Sequence, residues 1–197
     1  MQILRVNFLR VLFVVVVAIF TTSVIPSSAY AEEVSANLNL LLGSKELYPD
    51  DWEPVDNQFE VGLRFDIKME SWPISIAIDT YGAIGIATES SVWDVTSETS
   101  ELALGVRVYS EEDSNSAGFA GIGVAHIYAE EVWDDGLVEI ADEDESWGLW
   151  IDAGVITYIG PFSLGAMARL SHATVDIFGK SREAGGGHLG LFAGIHF

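Results

Sequence analysis

Residues Gly187 to Phe197 read GHLGLFAGIHF, and this stretch decides the fold. Leu189, Leu191, Ala193, Ile195 and Phe197 alternate with His188, Gly190, Phe192, Gly194 and His196. On a β-strand successive side chains point to opposite faces, so the pattern builds one continuous apolar face and one face of glycine, histidine and phenylalanine. The chain stops on the aromatic of the apolar face.

Working back from this strand, the same period of two recurs in seven upstream segments. The clearest is Phe59 to Met69, where Phe59, Val61, Leu63, Phe65, Ile67 and Met69 alternate with Glu60, Gly62, Arg64, Asp66 and Lys68. The others are Val34 to Gly43, Ile74 to Tyr81, Glu101 to Tyr109, the run AGFAGIGVAHIYA that begins at Ala117, Trp147 to Ile159, and Phe162 to Ser171. In the run from Ala117 the outward set is Ala120, Ile122 and Val124. The stretches between the strands alternate in length. Ser44 to Gln58, Gly82 to Ser97, Glu130 to Ser146 and Ala173 to Gly186 are long, whereas Glu70 to Pro73, Ser110 to Ser116 and Gly160-Pro161 are short turns.

The first residues are of another kind. Arg5 and Arg10 precede an apolar run from Val11 to Phe20, and a polar stretch with Pro26 follows, ending in Ala29-Tyr30-Ala31. This pattern predicts a cleaved secretory signal peptide over 1–31, since a spanning helix needs about 20 apolar residues. The remaining domain, 32–197, carries seven Lys and Arg against thirty Asp and Glu, a net charge of −23. Such a surface excludes nucleic acid as a partner. The chain has no cysteine, hence no disulfide, thiolate metal site or thiol nucleophile.

Beyond position 31 no apolar run reaches about 18 residues, so no helix there crosses a membrane. A hydrophobic fraction of 49% beside so much charge is reconciled by transmembrane strands, in which only every second residue is apolar and loops hold the charge. A soluble barrel would turn its apolar face inward and stud the other face with charge. Here the other face is mostly Gly, Ala, Ser and Tyr with a few charges of both signs, which fits the cramped interior of an eight-stranded barrel. The expected fold is therefore all-β, an eight-stranded antiparallel up-and-down transmembrane β-barrel. Girdle aromatics are expected at Trp72, Tyr109, Tyr158, Phe162 and Phe197 near the short turns, and at Trp93, Trp133 and Trp147 near the long loops.

With a signal peptide, eight alternating strands, a glycine-rich fifth strand and a terminal Phe, the chain resembles the small outer-membrane barrels of the OmpA and OmpX type. The resemblance implies a bacterial outer-membrane location and contact with outer-membrane lipid and lipopolysaccharide. It also implies that Leu191, Ala193, Ile195 and Phe197 serve as a C-terminal assembly signal for the insertion machinery. An even strand number with short turns on the inner side puts both termini in the periplasm. No activity follows from the resemblance.

Register supplies a sharper expectation. If Met69 faces Ile74, Arg64 lies opposite Asp79; if Ile159 faces Phe162, Asp152 lies opposite Arg169. These make two interior ion pairs that neutralise one another in a lumen just wide enough for side chains.

No catalytic, cofactor-binding or firm metal site is legible. Some small outer-membrane barrels deacylate lipid A, but Ser171 and His172 are adjacent on a strand and point to opposite faces. His188 and His196 face inward as packing groups. The acidic run holds Asp142, Asp144 and Glu145, weak metal candidates that make divalent cations candidate partners. Read as an EF-hand from Asp142, however, the run has Trp147 where Gly is needed and Ala153 where Glu is needed. The expected function is non-catalytic: envelope structure or surface interaction through acidic external loops. A lipid A- or phospholipid-modifying enzyme and a small pore are the alternatives.

Overall fold

Eight antiparallel strands hydrogen-bond in a closed ring, and the seam is made by the stretch that ends the chain. In this computed structural model, which describes residues 34–69, 71–89, 93–110 and 115–197, the elements in chain order are β1 (Val34–Glu46), α1 (Pro49–Trp52), β2 (Asn57–Met69), β3 (Ser75–Glu89), β4 (Trp93–Tyr109), β5 (Ser116–Asp134), β6 (Glu139–Ile159), β7 (Phe162–His172), β8 (Thr174–Ile177), β9 (Lys180–Glu183) and β10 (Gly186–His196). The expected signal segment lies outside the described residues. The barrel order is β1-β10-β7-β6-β5-β4-β3-β2, while β8 and β9 pair separately as a small hairpin. β1 closes the ring by pairing on both sides, Leu38 with Phe65 of β2 and with Ile195 of β10. The last residue ties the seam: the Phe197 N–H donates to the Ala36 carbonyl at 3.0 Å, and the Ala36 N–H donates back at 2.6 Å.

The alternation sorts as expected. Leu40, Leu42, Leu102, Leu104, Ile122, Val124, Leu149, Ile151, Leu189 and Leu191 are exposed around the outside. Large exposed apolar residues on every strand form a continuous belt, far beyond the patch size of a soluble monomer, and only lipid satisfies such a surface. Gly160 takes φ 61 in the turn between Ile159 and Phe162, as a two-residue hairpin requires.

Two long loops of the sequence reading are strands instead. β3 and β4 stay paired up to Glu89 opposite Trp93, and β5 and β6 up to Asp134 opposite Glu139. These strands continue past the apolar belt as a four-stranded extension, because inward positions such as Val95, Ile127 and Ala129 remain buried after the outward positions turn polar. Two more expectations change. Tyr109 and Tyr158 are not girdle residues but pack inside, Tyr109 donating to Asp66 at 3.0 Å and Tyr158 lying 4.9 Å from the His196 ring. Trp93 and Trp133 sit on the extension and meet edge to face at 6.5 Å.

The lumen is filled by matching large side chains to glycines. Trp150 lies over Gly105 and Gly123, and the Phe192 ring lies over Gly165, where any Cβ would collide. Leu41, Tyr81, Phe119, Ile156, Met167 and Phe192 make an apolar layer toward the terminal end. At the extension end the segments 47–56 and 173–185 fold over the mouth as a lid, where Leu47, Trp52, Val175, Ile177 and Ala184 form a second buried cluster with Trp150 and Ile127. Gly165→Val drives a side chain into Phe192 and the Val155 carbonyl, so it is expected to abolish heat-modifiable gel migration in detergent-refolded protein. A normal shift in this variant would contradict the packing.

Candidate functional site

Between the two apolar layers lies a layer of charge. Register puts Arg64 opposite Asp79 and Asp152 opposite Arg169, and all four are buried. The ion contacts, however, do not join these opposed neighbours. Arg64 reaches Asp152 at 3.6 Å, while Arg169 reaches Asp79 at 3.4 Å and Glu101 at 3.1 Å. The reason is reach. Directly opposed Cβ atoms are about 5 Å apart, so an arginine stem overshoots a short aspartate beside it and its guanidinium meets partners across the lumen.

The hub is Arg107, which the inward parity of β4 places in the lumen but which no opposed pair singles out. Its Nε donates to Asp152 at 3.0 Å, its Nη1 to Asp66 at 2.7 Å, and its Nη2 to Asp152 at 2.6 Å and to Asp79. One planar fork thus binds three carboxylates from β2, β3 and β6, a task for which Lys lacks the donors. Aromatic faces complete the setting: Arg64 stacks 4.7 Å from Phe119 and 4.6 Å from Phe192, and Arg169 stacks 4.6 Å from Trp150 and 4.7 Å from Tyr81.

A second hub sits nearer the lid. Glu101 accepts from Lys45 at 3.0 Å, from Arg169 at 3.1 Å and from Ser171 at 2.9 Å. Lys45 also donates to the Ala184 carbonyl at 3.0 Å, which ties the lid to the lumen. His188 has Nδ1 2.7 Å from Glu60, and Nε2 3.0 Å from Ser171 and 3.3 Å from Glu101. The lumen therefore holds the carboxylates of Glu60, Asp66, Asp79, Glu101 and Asp152 against the cations Lys45, Arg64, Arg107 and Arg169. His188 is the group placed to make up the difference.

The chain Ser171–His188–Glu60 has the hydrogen-bond order of a nucleophile, base and orienting acid. It escaped the sequence reading because its members come from β7, β10 and β2, distant in sequence. Ser171 and His188 are 6% and 1% exposed, and the serine hydroxyl is shared with Glu101. The trio is thus a cross-link within the ion network. His172 points outward, as expected, and pairs with Glu183 at 2.5 Å. His196 lies in a small polar cavity of about 80 Å³ at the terminal end, bonded to Asn37 at 3.1 Å.

The weak metal candidates are separated. Asp142 accepts from the Phe178 N–H at 2.5 Å and Asp144 from the Asp176 N–H at 2.8 Å, bracing the β8–β9 hairpin against β6. That donor holds the Asp144 carboxyl below its usual range. Glu145 points to the other face, toward His126 at 3.8 Å. Among the described residues no cluster of His, Asp and Glu is arranged to hold a metal ion.

Lid contacts are polar at the edge and apolar within. The Trp52 indole N–H donates to the Glu183 carbonyl at 2.7 Å, and the Glu183 N–H donates to Asp51 at 2.9 Å. Arg182 stacks 5.2 Å from Trp52 while bonding Glu131. Four of the seven basic residues beyond position 31 are thus spent in the lumen and a fifth in the lid, leaving only Lys68 and Lys180.

The outward face of the extension is correspondingly acidic. Glu98, Glu130 and Glu143 stand directly opposite one another across β4, β5 and β6, and so do Asp94, Asp134 and Glu139. Desolvation pushes the Glu98 and Glu130 carboxyls up from their ordinary range. The β5–β6 tip adds Leu137, 94% exposed, on a turn in which Gly136 has φ 83. Backbone N–H groups of Val138 and Leu137 hold the Asp135 carboxyl down.

The closed ring, its apolar belt and its filled lumen define a small eight-stranded β-barrel of the outer-membrane type. Among solved structures the fold aligns with Neisserial surface protein A, at 13% identity and a TM-score of 0.55 over 83% of this chain and 97% of that one. It also aligns with Ail, the attachment invasion locus protein of Yersinia pestis, at 14% identity and a TM-score of 0.60 over 84% and 99%. A major outer membrane protein from Thermus thermophilus aligns at 9% identity and a TM-score of 0.58 over 84% and 100%. No protein-family model and no curated protein matches the sequence. At these identities the likeness is one of fold.

Removing Arg107 strips buried Asp66 of its ion-pair partner and leaves Asp79 and Asp152 each with only the more distant Arg169 and Arg64, and breaking a buried pair in this way costs about 3–5 kcal/mol. Arg107→Leu is expected to lower the stability of the refolded barrel by that amount in urea titrations, and Arg107→Lys to recover only part of it. A Leu variant as stable as the parent would remove Arg107 from the centre of the network.

Proposed function

We propose that the chain is exported to a bacterial outer membrane, that cleavage after Ala31 leaves Glu32 at the mature terminus, and that its role is non-catalytic surface interaction through the acidic extension. Both termini then lie in the periplasm, with the short turns. The closing strand, through Leu191, Ala193, Ile195 and Phe197, is the segment offered to the insertion machinery, and the apolar belt meets outer-membrane lipid and lipopolysaccharide.

One observation carries this reading. Among the described residues, the part of the barrel that projects beyond the belt is a four-stranded sheet whose outward positions hold two rows of three opposed carboxylates and no Lys or Arg. Asp94, Asp134 and Glu139 are all exposed, whereas Glu130 in the other row is buried and accepts from Tyr128 at 3.3 Å. Like charges directly opposite one another destabilise a sheet, and a cationic partner relieves that repulsion. The exposed Leu137 at the tip adds an apolar contact. Ail of Yersinia pestis was crystallised with the heparin analogue sucrose octasulfate, a polyanion. The acidic face of this chain selects the opposite charge.

Binding of fluorescent polylysine to cells displaying the chain tests the proposal. Replacing the exposed row of Asp94, Asp134 and Glu139 together by Asn, Asn and Gln is expected to weaken it about tenfold, at about 0.5 kcal/mol per charge. Added salt weakens the parent and the variant toward a common level. Equal binding by parent and variant, or retention of sucrose octasulfate in place of polylysine, would refute the assignment.

A further inference from the structure

A large cavity lies outside the lumen, in the lipid-facing wall at the extension end of β6, β7 and β10. It measures about 540 Å³, within the range of small-molecule sites. Its floor is the outward apolar residues Leu149, Ile151 and Leu170, and its rim carries Glu46, Tyr48 and His172. We infer that this groove is a binding site for the acyl chain of a membrane lipid whose headgroup carries an ammonium.

Three observations support the assignment. The groove exists because β10 places Gly187 at an outward position of the belt, beside Leu170 and opposite Glu46. Many wall glycines are demanded by packing, since an added Cβ would strike backbone or a ring. At Gly187 the nearest atom to an added Cβ is a Leu170 methyl at 3.8 Å, an ordinary contact. Nothing in the described barrel requires a glycine there, and its effect is to keep the recess open.

The floor is continuous with the belt, Leu149, Ile151 and Leu170 being 64%, 51% and 59% exposed. What reaches it is hydrocarbon, and, on the orientation proposed above, the occupant is a phospholipid that has entered the outer leaflet rather than the lipopolysaccharide around it.

The rim chooses the headgroup. No Lys or Arg lines the groove, and His172 is already paired with Glu183. Glu46 is exposed and enters no ion pair among the described residues. A lipid with bare phosphates meets repulsion at this rim, whereas an ammonium meets the Glu46 carboxylate beside the exposed Tyr48 ring, a pairing of charge and π-face suited to a cation.

Native mass spectrometry of the refolded full chain, given phosphatidylethanolamine and phosphatidylglycerol of matched chain length, tests the site. The parent is expected to retain phosphatidylethanolamine over phosphatidylglycerol by about threefold to fivefold, the effect of one exposed charge pair. Gly187→Leu fills the recess and is expected to lose the retained lipid while keeping heat-modifiable migration, which shows that the barrel still folds. Glu46→Gln is expected to retain both lipids equally. Equal retention of the two lipids by the parent, undiminished retention by Gly187→Leu, an unchanged preference in Glu46→Gln, or stronger retention of lipid A than of phosphatidylethanolamine would each overturn the proposal.

Discussion

A ring of eight strands encloses a space that side chains alone can fill, and charged residues facing it must find their partners within it. Arg107 is where that constraint is met. Its fork holds Asp66, Asp79 and Asp152 from three different strands, so the closure of the ring and the neutralisation of the lumen are one arrangement. Burying charge costs several kcal/mol per ion, offset only where geometry and hydrogen bonding are nearly complete. Among the described residues, the buried side-chain nitrogens and oxygens without a hydrogen-bond partner are Glu60 Oε2, Arg64 Nε and Arg169 Nε. The two arginines among them lie against aromatic faces, Arg64 on Phe119 and Arg169 on Tyr81, where the ring quadrupole offsets part of the loss.

The same arrangement shapes the outside. A chain with seven basic residues beyond position 31 places four of them in the lumen and one against the lid. Its exterior is therefore acidic by subtraction. The lid extends the logic: Lys45 reaches from the Glu101 hub to the Ala184 carbonyl, so lumen chemistry also holds the mouth closed. Trp52 and its neighbours then separate that charge from the aqueous side.

The outward alternation carried most of the fold on its own. Leu189 to Phe197, Phe59 to Met69 and Phe162 to Leu170 keep a strict period because one face of each meets lipid. The register followed from the two-residue turn at Gly160 and the short one before Ile74. The extension was not legible, because above the belt the outward residues of β4 become Ser, Glu and Thr, while its period survives only in buried positions such as Val95. The ion partners were not legible either. Opposed pairs are a local property of two strands, whereas Arg107 to Asp66 and Arg169 to Glu101 span the lumen and depend on side-chain length. Lys45 shows what was within reach: carrying the alternation of the first strand two residues past Gly43 puts it on the inner face, next to the charge it neutralises.

The central claim is that this lumen is a filled, self-neutralised core sealed by apolar layers at both ends, and ion flow reports on it directly. Single-channel recording of the refolded chain in planar lipid bilayers is predicted to show a flat baseline at both polarities. Discrete conductance steps from the folded protein would contradict the account.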